Sequence, residues 1–137
     1  MKEPIWINPK LVLLFHEQLI VEHGGQAGIR DQGLLKAAMA RPEQIFSNGE
    51  PDLFDLAAAY TSEIIRNHPF IDGNKRTAFL VGAHFLEING QNLIAPEAET
   101  TQAILDLVTK KLSEEDFAIW LMENSKKKNL NYEWFSK

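Results

Sequence analysis

A short segment in the middle of the chain, His68-Pro69-Phe70-Ile71-Asp72-Gly73-Asn74-Lys75-Arg76, carries residue types suited to chemistry on phosphate groups. A helix is predicted to begin at about Gly73, so its free N–H groups and positive dipole end would lie beside Lys75 and Arg76, which favours a bound anion. Glycine at this point lets the backbone approach phosphate oxygens. We therefore predict a phosphate site at Gly73, Asn74, Lys75 and Arg76.

Two further side chains extend this site toward catalysis. Asp72 is a hard oxygen ligand directly before the phosphate site, and Mg²⁺ on nucleotide phosphates typically keeps only one or two protein carboxylates. His68 is suited to accept a hydroxyl proton near neutral pH, and Pro69 and Phe70 are expected to anchor the loop that presents it. Together these residues predict phosphoryl or nucleotidyl transfer.

Taken one at a time, the same residues have simpler interpretations. An isolated Asp72 most often caps a helix, and His68 could bond only to backbone. Lys75 and Arg76 could form a solvated first turn, although cations there oppose the helix dipole. The ordered segment as a whole favours the functional interpretation.

Other titratable residues are assigned structural roles. His84 is expected to be a satisfied core histidine, and His16 and His23 give no functional signal. The pair Arg30-Asp31 is interpreted as a helix cap with a local ion pair, outside the site.

Helical patterns cover most of the chain and predict an all-α, single-domain bundle over residues 1–125. A proline after Asn8, caps at Asp31, Asp52 and Ser113, and a stop at Gly90 mark helix ends. Residues 43–51 are rich in turn formers and predict an exposed loop or hairpin, and residues 126–137 predict a frayed tail. The predicted helices are residues 9–23, 31 to about 41, 52–67, 73–88, 97–111 and 114–125.

Composition narrows the function classes. The chain has 137 residues, 45% of them hydrophobic, which suits one domain with one core. A net charge of -5 argues against direct nucleic-acid binding, and the run Lys126 to Lys128 is interpreted as solvated. The absence of cysteine fits the cytoplasm, and the apolar run from Leu11 to Phe15 is too short to cross a membrane.

The segment from His68 to Arg76, continued by Thr77-Ala78, resembles the signature loop of the Fic and Doc superfamily. Fic enzymes typically read His-x-Phe-x-(Asp/Glu)-Gly-Asn-Gly-Arg-x-x-Arg. This chain departs at Lys75 and Phe79, and both departures are Doc-like. The stretch from Gly24 to Leu35 also resembles the N-terminal part of Doc-type proteins, so the similarity spans roughly residues 6 to 121.

The resemblance implies a six-helix Fic core with a flap before the catalytic segment, at residues 43–51. It implies His68 as general base, Asp72 as Mg²⁺ ligand, and Gly73, Asn74, Lys75 and Arg76 as the phosphate site. Doc-like (death-on-curing) toxins are understood to transfer the γ-phosphate of ATP to a threonine of elongation factor Tu, which arrests translation. A Phd-like antitoxin, bound helix-in-groove, is the implied partner.

Two other functions stay open at this point. The chain could be a Fic-type adenylyltransferase, because most of the signature agrees with that class. It could also be a catalytically silent module that only binds a partner. The resemblance favours the kinase through Lys75, which stands where Fic adenylyltransferases have a glycine.

Overall fold

The computed structural model describes residues 1–128, and within them most of the chain is helical. The predicted all-α class with six helices is confirmed, with a two-stranded antiparallel sheet added to it. None of these helices combines the length and the hydropathy needed to cross a bilayer. The elements are α1 Pro9–His23, α2 Gln32–Asn48, α3 Leu53–Asn67, α4 Asn74–Ile88, β1 Gln91–Leu93, α5 Glu97–Val108, α6 Glu114–Glu123 and β2 Ser125–Lys127.

The helix starts follow the predicted caps. The side chains of Asn8, Asp31 and Ser113 each accept a hydrogen bond from a backbone N–H of the first turn that follows them. Asp52 does the same with the N–H of Asp55, whose own carboxylate accepts from the Asp52 N–H. These short polar side chains satisfy donors that a helix cannot pair internally, which is why the starts could be predicted.

The predicted end of α2 near Arg41-Pro42 is wrong. The helix continues through Pro42 to Asn48, so the loop or flap predicted at residues 43–51 is helical up to residue 48. Proline removes one helical hydrogen bond, but Pro42 is buried and Phe46 packs edge-on against Trp6 at 5.7 Å. Packing of the partly buried Ile45 and Phe46 against the core outweighs the local preference.

The C-terminal predictions also need correction. Helices α5 and α6 end at Val108 and Glu123, short of residues 111 and 125, and Lys110 adopts a left-handed conformation with φ 64°. Lys126 and Lys127, predicted to be frayed, pair antiparallel with β1 because that strand offers unpaired backbone groups. The rest of the predicted tail, residues 129–137, lies outside the described residues.

Helices α3 and α4 form the centre of the molecule and bury the largest share of the core. Thr61 on α3 donates to the carbonyl oxygen of Ala78 on α4 at 2.8 Å. Gly82 lets the backbones approach, because a Cβ there would overlap Thr61 Oγ1 and lie 3.1 Å from the Ala57 carbonyl oxygen. The C-terminus of α3 and the N-terminus of α4 are thereby fixed, and the segment that joins them contains the predicted site.

Candidate active site

The connection between α3 and α4 begins with an unusual backbone conformation at His68. Helix α3 ends at Asn67, and His68 turns left-handed with φ 49° and ψ 56° while its N–H donates to the Ile64 carbonyl oxygen at 3.0 Å. Non-glycine residues rarely adopt this conformation, which costs about 1–2 kcal/mol and tends to occur at functional sites. The turn leaves the His68 side chain exposed at the end of the helix.

Helix α4 begins without a side-chain cap. Its N-cap is Gly73, at φ 78°, and a Cβ there would lie 3.3 Å from Ile20 and 3.6 Å from the His16 ring. Among residues 1–128, the N–H groups of Asn74, Lys75 and Arg76 have no hydrogen-bond acceptor. No acidic residue lies in the first turn, so these donors and the two exposed cations can bind an anion.

Asn74 closes the loop through its side chain. Its Oδ1 accepts from the Phe70 N–H at 3.0 Å, and its Nδ2 donates to the Phe70 carbonyl oxygen at 2.9 Å. Both residues are buried. Since both ends of the amide are engaged, only the backbone N–H of Asn74 remains for a phosphate.

We expect Asn74→Ala to destabilise the protein strongly. The substitution leaves the buried N–H and carbonyl of Phe70 without partners, at about 1–3 kcal/mol for each group. The free energy of unfolding in urea should therefore fall by about 2–6 kcal/mol. Asn92→Ala, the same change at an exposed position of β1, is the matched control and should stay within about 0.5 kcal/mol of the unsubstituted protein. Equal effects of both changes would refute this role.

Asp72 is held from two sides. Its Oδ2 accepts from the Gln26 N–H at 2.7 Å, and its carbonyl oxygen accepts from His16 Nε2, also at 2.7 Å. His16 is 3% exposed and stacks on the Phe70 ring at 3.9 Å between centroids. No role was predicted for His16. The sequence offers one indication of its burial: His16 follows Val12 by four positions, which places both on the face of α1 that points into the protein.

Arg30 is a second residue that the sequence analysis left outside the site. Asp31 caps α2 as predicted, but the ion pairs of the described residues do not include one between Arg30 and Asp31. The Arg30 guanidinium instead donates to the carbonyl oxygens of Asn67 and His68, at 2.8 and 2.7 Å. His84, predicted to be a core histidine, is only half-buried, 5.1 Å from the Phe15 ring.

All of the predicted site residues line one cavity of about 300 Å³ between α3, α4 and α5. Ile65 and Val108 complete its wall, so the cavity is cationic at the α4 end and apolar opposite. A volume of this order suits a small-molecule ligand. Lys75 and Arg76 also line a neighbouring cavity of about 270 Å³, whose apolar wall includes Phe79 and Ile104.

The donor set fits Mg²⁺ only as a metal shared with phosphates. Among the described residues, there is no group of three or more His, Asp or Glu side chains that could hold a metal alone. Asp72 supplies one exposed carboxylate beside the free N–H groups of α4. Mg²⁺ commonly binds through one or two carboxylates and the oxygens of a nucleotide, so Asp72 remains the predicted ligand.

Comparison with known proteins gives a consistent result. A sequence model described as the Fic/DOC family matches residues 6–86. The chain is 46% identical over 77 residues to Toxin Doc of Mycolicibacterium smegmatis, which is 55% of this chain and 59% of that protein. It is 35% identical over 85 residues to Protein kinase doc of Escherichia phage P1, 61% of this chain and 68% of that protein. The match thus spans less than two thirds of the first relative.

Proposed function

This chain belongs to the Fic/DOC family, and on that premise we propose that it is a toxin that transfers the γ-phosphate of ATP to a protein hydroxyl. The proposed substrate is a threonine of elongation factor Tu in the cytoplasm, and the consequence is arrested translation. One observation carries the proposal: Lys75 lines the same cavity as His68, Asp72, Gly73 and Arg76. Relatives that bear the names Toxin Doc and Protein kinase doc support it.

The residues of the cavity divide the reaction between them. The N–H groups of residues 74–76 and the cations of Lys75 and Arg76 bind the phosphates and neutralise their charge. His68 accepts the proton of the substrate hydroxyl while the hydroxyl oxygen bonds to the γ-phosphorus. The bond between the γ-phosphorus and the oxygen that bridges the β- and γ-phosphates breaks, and ADP is released. Mg²⁺, when bound at Asp72, supplies further charge neutralisation. Most of the acceleration then comes from positioning and electrostatics.

Lys75 favours the kinase over the alternative, transfer of AMP. Its exposed side chain lines the phosphate cavity at the position where adenylyltransferases of the family carry glycine. The side chain fills space that would admit a phosphate and adds a charge. AMP transfer remains the second candidate because His68, Asp72, Gly73, Asn74 and Arg76 all agree with the adenylyltransferase signature.

Two ATP analogues separate these reactions. A methylene bridge between the α- and β-phosphates blocks AMP transfer and leaves the γ-phosphate transferable; a bridge between the β- and γ-phosphates does the reverse. With elongation factor Tu, we expect modification by the first analogue only, measured as an increase in protein mass. Modification by the second analogue alone would establish AMP transfer instead.

An antitoxin is the proposed partner. The active-site cavity shares Ile65 and Val108 with a larger cavity of about 660 Å³ that has Leu107 and Leu112 on its wall and Arg66, Lys110 and Glu114 among its lining residues. Such a groove, with an apolar wall and charged residues of both signs, suits an amphipathic helix of a Phd-like protein. Co-production with the product of the neighbouring reading frame should restore growth of cells that make this chain.

A further inference from the structure

We infer that Arg30 is a positioning residue that holds His68 in its left-handed conformation. The consequence for turnover depends on the phosphotransferase function proposed above, whereas the effect on the backbone of His68 does not. Arg30 lies just before α2, far from His68 in the sequence, and its side chain is exposed. Exposed arginines are usually free to move, so the fixed contacts of this one need an explanation.

The contacts of Arg30 are concentrated on the end of α3. Its Nε donates to the His68 carbonyl oxygen at 2.7 Å and its Nη2 to the Asn67 carbonyl oxygen at 2.8 Å. Its backbone N–H donates to the Pro69 carbonyl oxygen at 2.7 Å. One residue therefore binds the carbonyl groups of three consecutive residues at the turn that presents His68.

These carbonyl groups have a physical need for such a partner. The last carbonyls of a helix lack donors from their own helix and carry the negative end of its dipole. Since His68 is left-handed rather than helical, its carbonyl and that of Asn67 point away from the helix ladder. A cation that donates to both stabilises this arrangement over a continued or frayed helix.

Arg30 is itself anchored on both sides. Asp31 caps α2 and its N–H also donates to the Pro69 carbonyl oxygen at 3.0 Å, while Ile29 forms an isolated β-bridge with Phe70. The guanidinium is planar and presents its donors in a fixed fork, which a lysine cannot reproduce. Residues 29–31 are therefore held in place, and the Arg30 side chain in turn holds the backbone of His68.

The test compares Arg30→Met and Arg30→Lys with Lys36→Met. Lys36 is an exposed cation of α2, six positions after Arg30, and does not line the active-site cavity, so its removal controls for lost charge. In Arg30→Met, we expect the Cα chemical shift of His68 to move away from the left-handed value. We expect kcat to fall by about 10–100-fold with the KM for ATP within about threefold, because the base is displaced while the phosphate site is not. Arg30→Lys should recover only part of kcat.

A double-substitution cycle with His68→Ala shows whether Arg30 acts through His68. If it does, Arg30→Met should cause little further loss in the His68→Ala background, since residues that act as a unit are not additive. Losses that multiply, or an effect no larger than that of Lys36→Met, would overturn the inference. So would an unchanged His68 shift in Arg30→Met, even if the chain transfers neither phosphate nor AMP. Inactivity of the unsubstituted protein together with a moved shift would reject the proposed function and keep the positioning role.

Discussion

His68→Ala is expected to reduce phosphate transfer by about 10²–10⁴-fold, the usual contribution of a general base. His68 is exposed at the cavity that Gly73, Lys75 and Arg76 share, and it is the one imidazole among the cavity's lining residues. Because the proposed phosphate site is the start of α4, the KM for ATP should change little. Steady-state kinetics with γ-labelled ATP measure both constants.

His23→Ala is the matched control for this prediction. His23 is an exposed histidine at the end of α1 that does not line the cavity. Its replacement should leave kcat unchanged. Full toxicity of His68→Ala would mean that the chain acts as a catalytically silent binding module. Full transferase activity of His68→Ala would mean that His68 is not the general base. Either result would make the proposed chemistry wrong.

Asp72→Asn is expected to produce the second largest loss, about 10²–10³-fold in kcat/KM. A metal ion supplies several kcal/mol of charge stabilisation to phosphoryl transfer, and each 1.36 kcal/mol is a factor of ten in rate. Asparagine can still accept the hydrogen bond from the Gln26 N–H, so the loop should keep its shape. The loss should therefore come from the charge.

The dependence on Mg²⁺ separates loss of the ligand from loss of structure. In Asp72→Asn, the Mg²⁺ concentration for half-maximal rate should rise, and high Mg²⁺ should recover part of the activity. Asp106→Asn is the control, because among residues 1–128 the Asp106 side chain accepts one surface hydrogen bond, from Gln102 on the same helix α5. An unchanged Mg²⁺ requirement in Asp72→Asn would remove Asp72 from the metal site.

Local chemistry explains what could be predicted from the sequence. The caps at Asn8, Asp31, Asp52 and Ser113 act within three residues, so their spacing alone identifies them. The signal for the phosphate site is equally local, because Gly73 directly precedes a helix whose first turn contains Lys75 and Arg76. His68, Asp72 and the start of α4 line one cavity, and their roles in it stay predictions.

The residues that escaped prediction act over long sequence separations. His16 and Asp72 are 56 positions apart, and Arg30 reaches residues 37 and 38 positions away. A histidine on a helix and an arginine before a cap have no local pattern that reveals such partners. Asn74 was predicted from the sequence as part of the phosphate site. The sequence did not reveal that its side chain would instead bind the backbone of Phe70.

Packing accounts for the remaining differences. Pro42 is a strong local signal for a helix end, yet the turn after it is kept by burial against the N-terminal segment. The strand at Ser125–Lys127 depends on β1, which lies more than thirty residues earlier. Neither the continued helix nor the strand can be predicted from a window of neighbouring residues.

Elongation factor Tu and ATP labelled at either the α- or the γ-phosphate distinguish phosphate transfer from AMP transfer. Covalent label on the protein, located by mass spectrometry of its peptides, reports which phosphorus is transferred. We expect γ-label on a threonine, no α-label, and neither label with His68→Ala. Stable incorporation of the α-label would rule out the kinase and make the chain an adenylyltransferase.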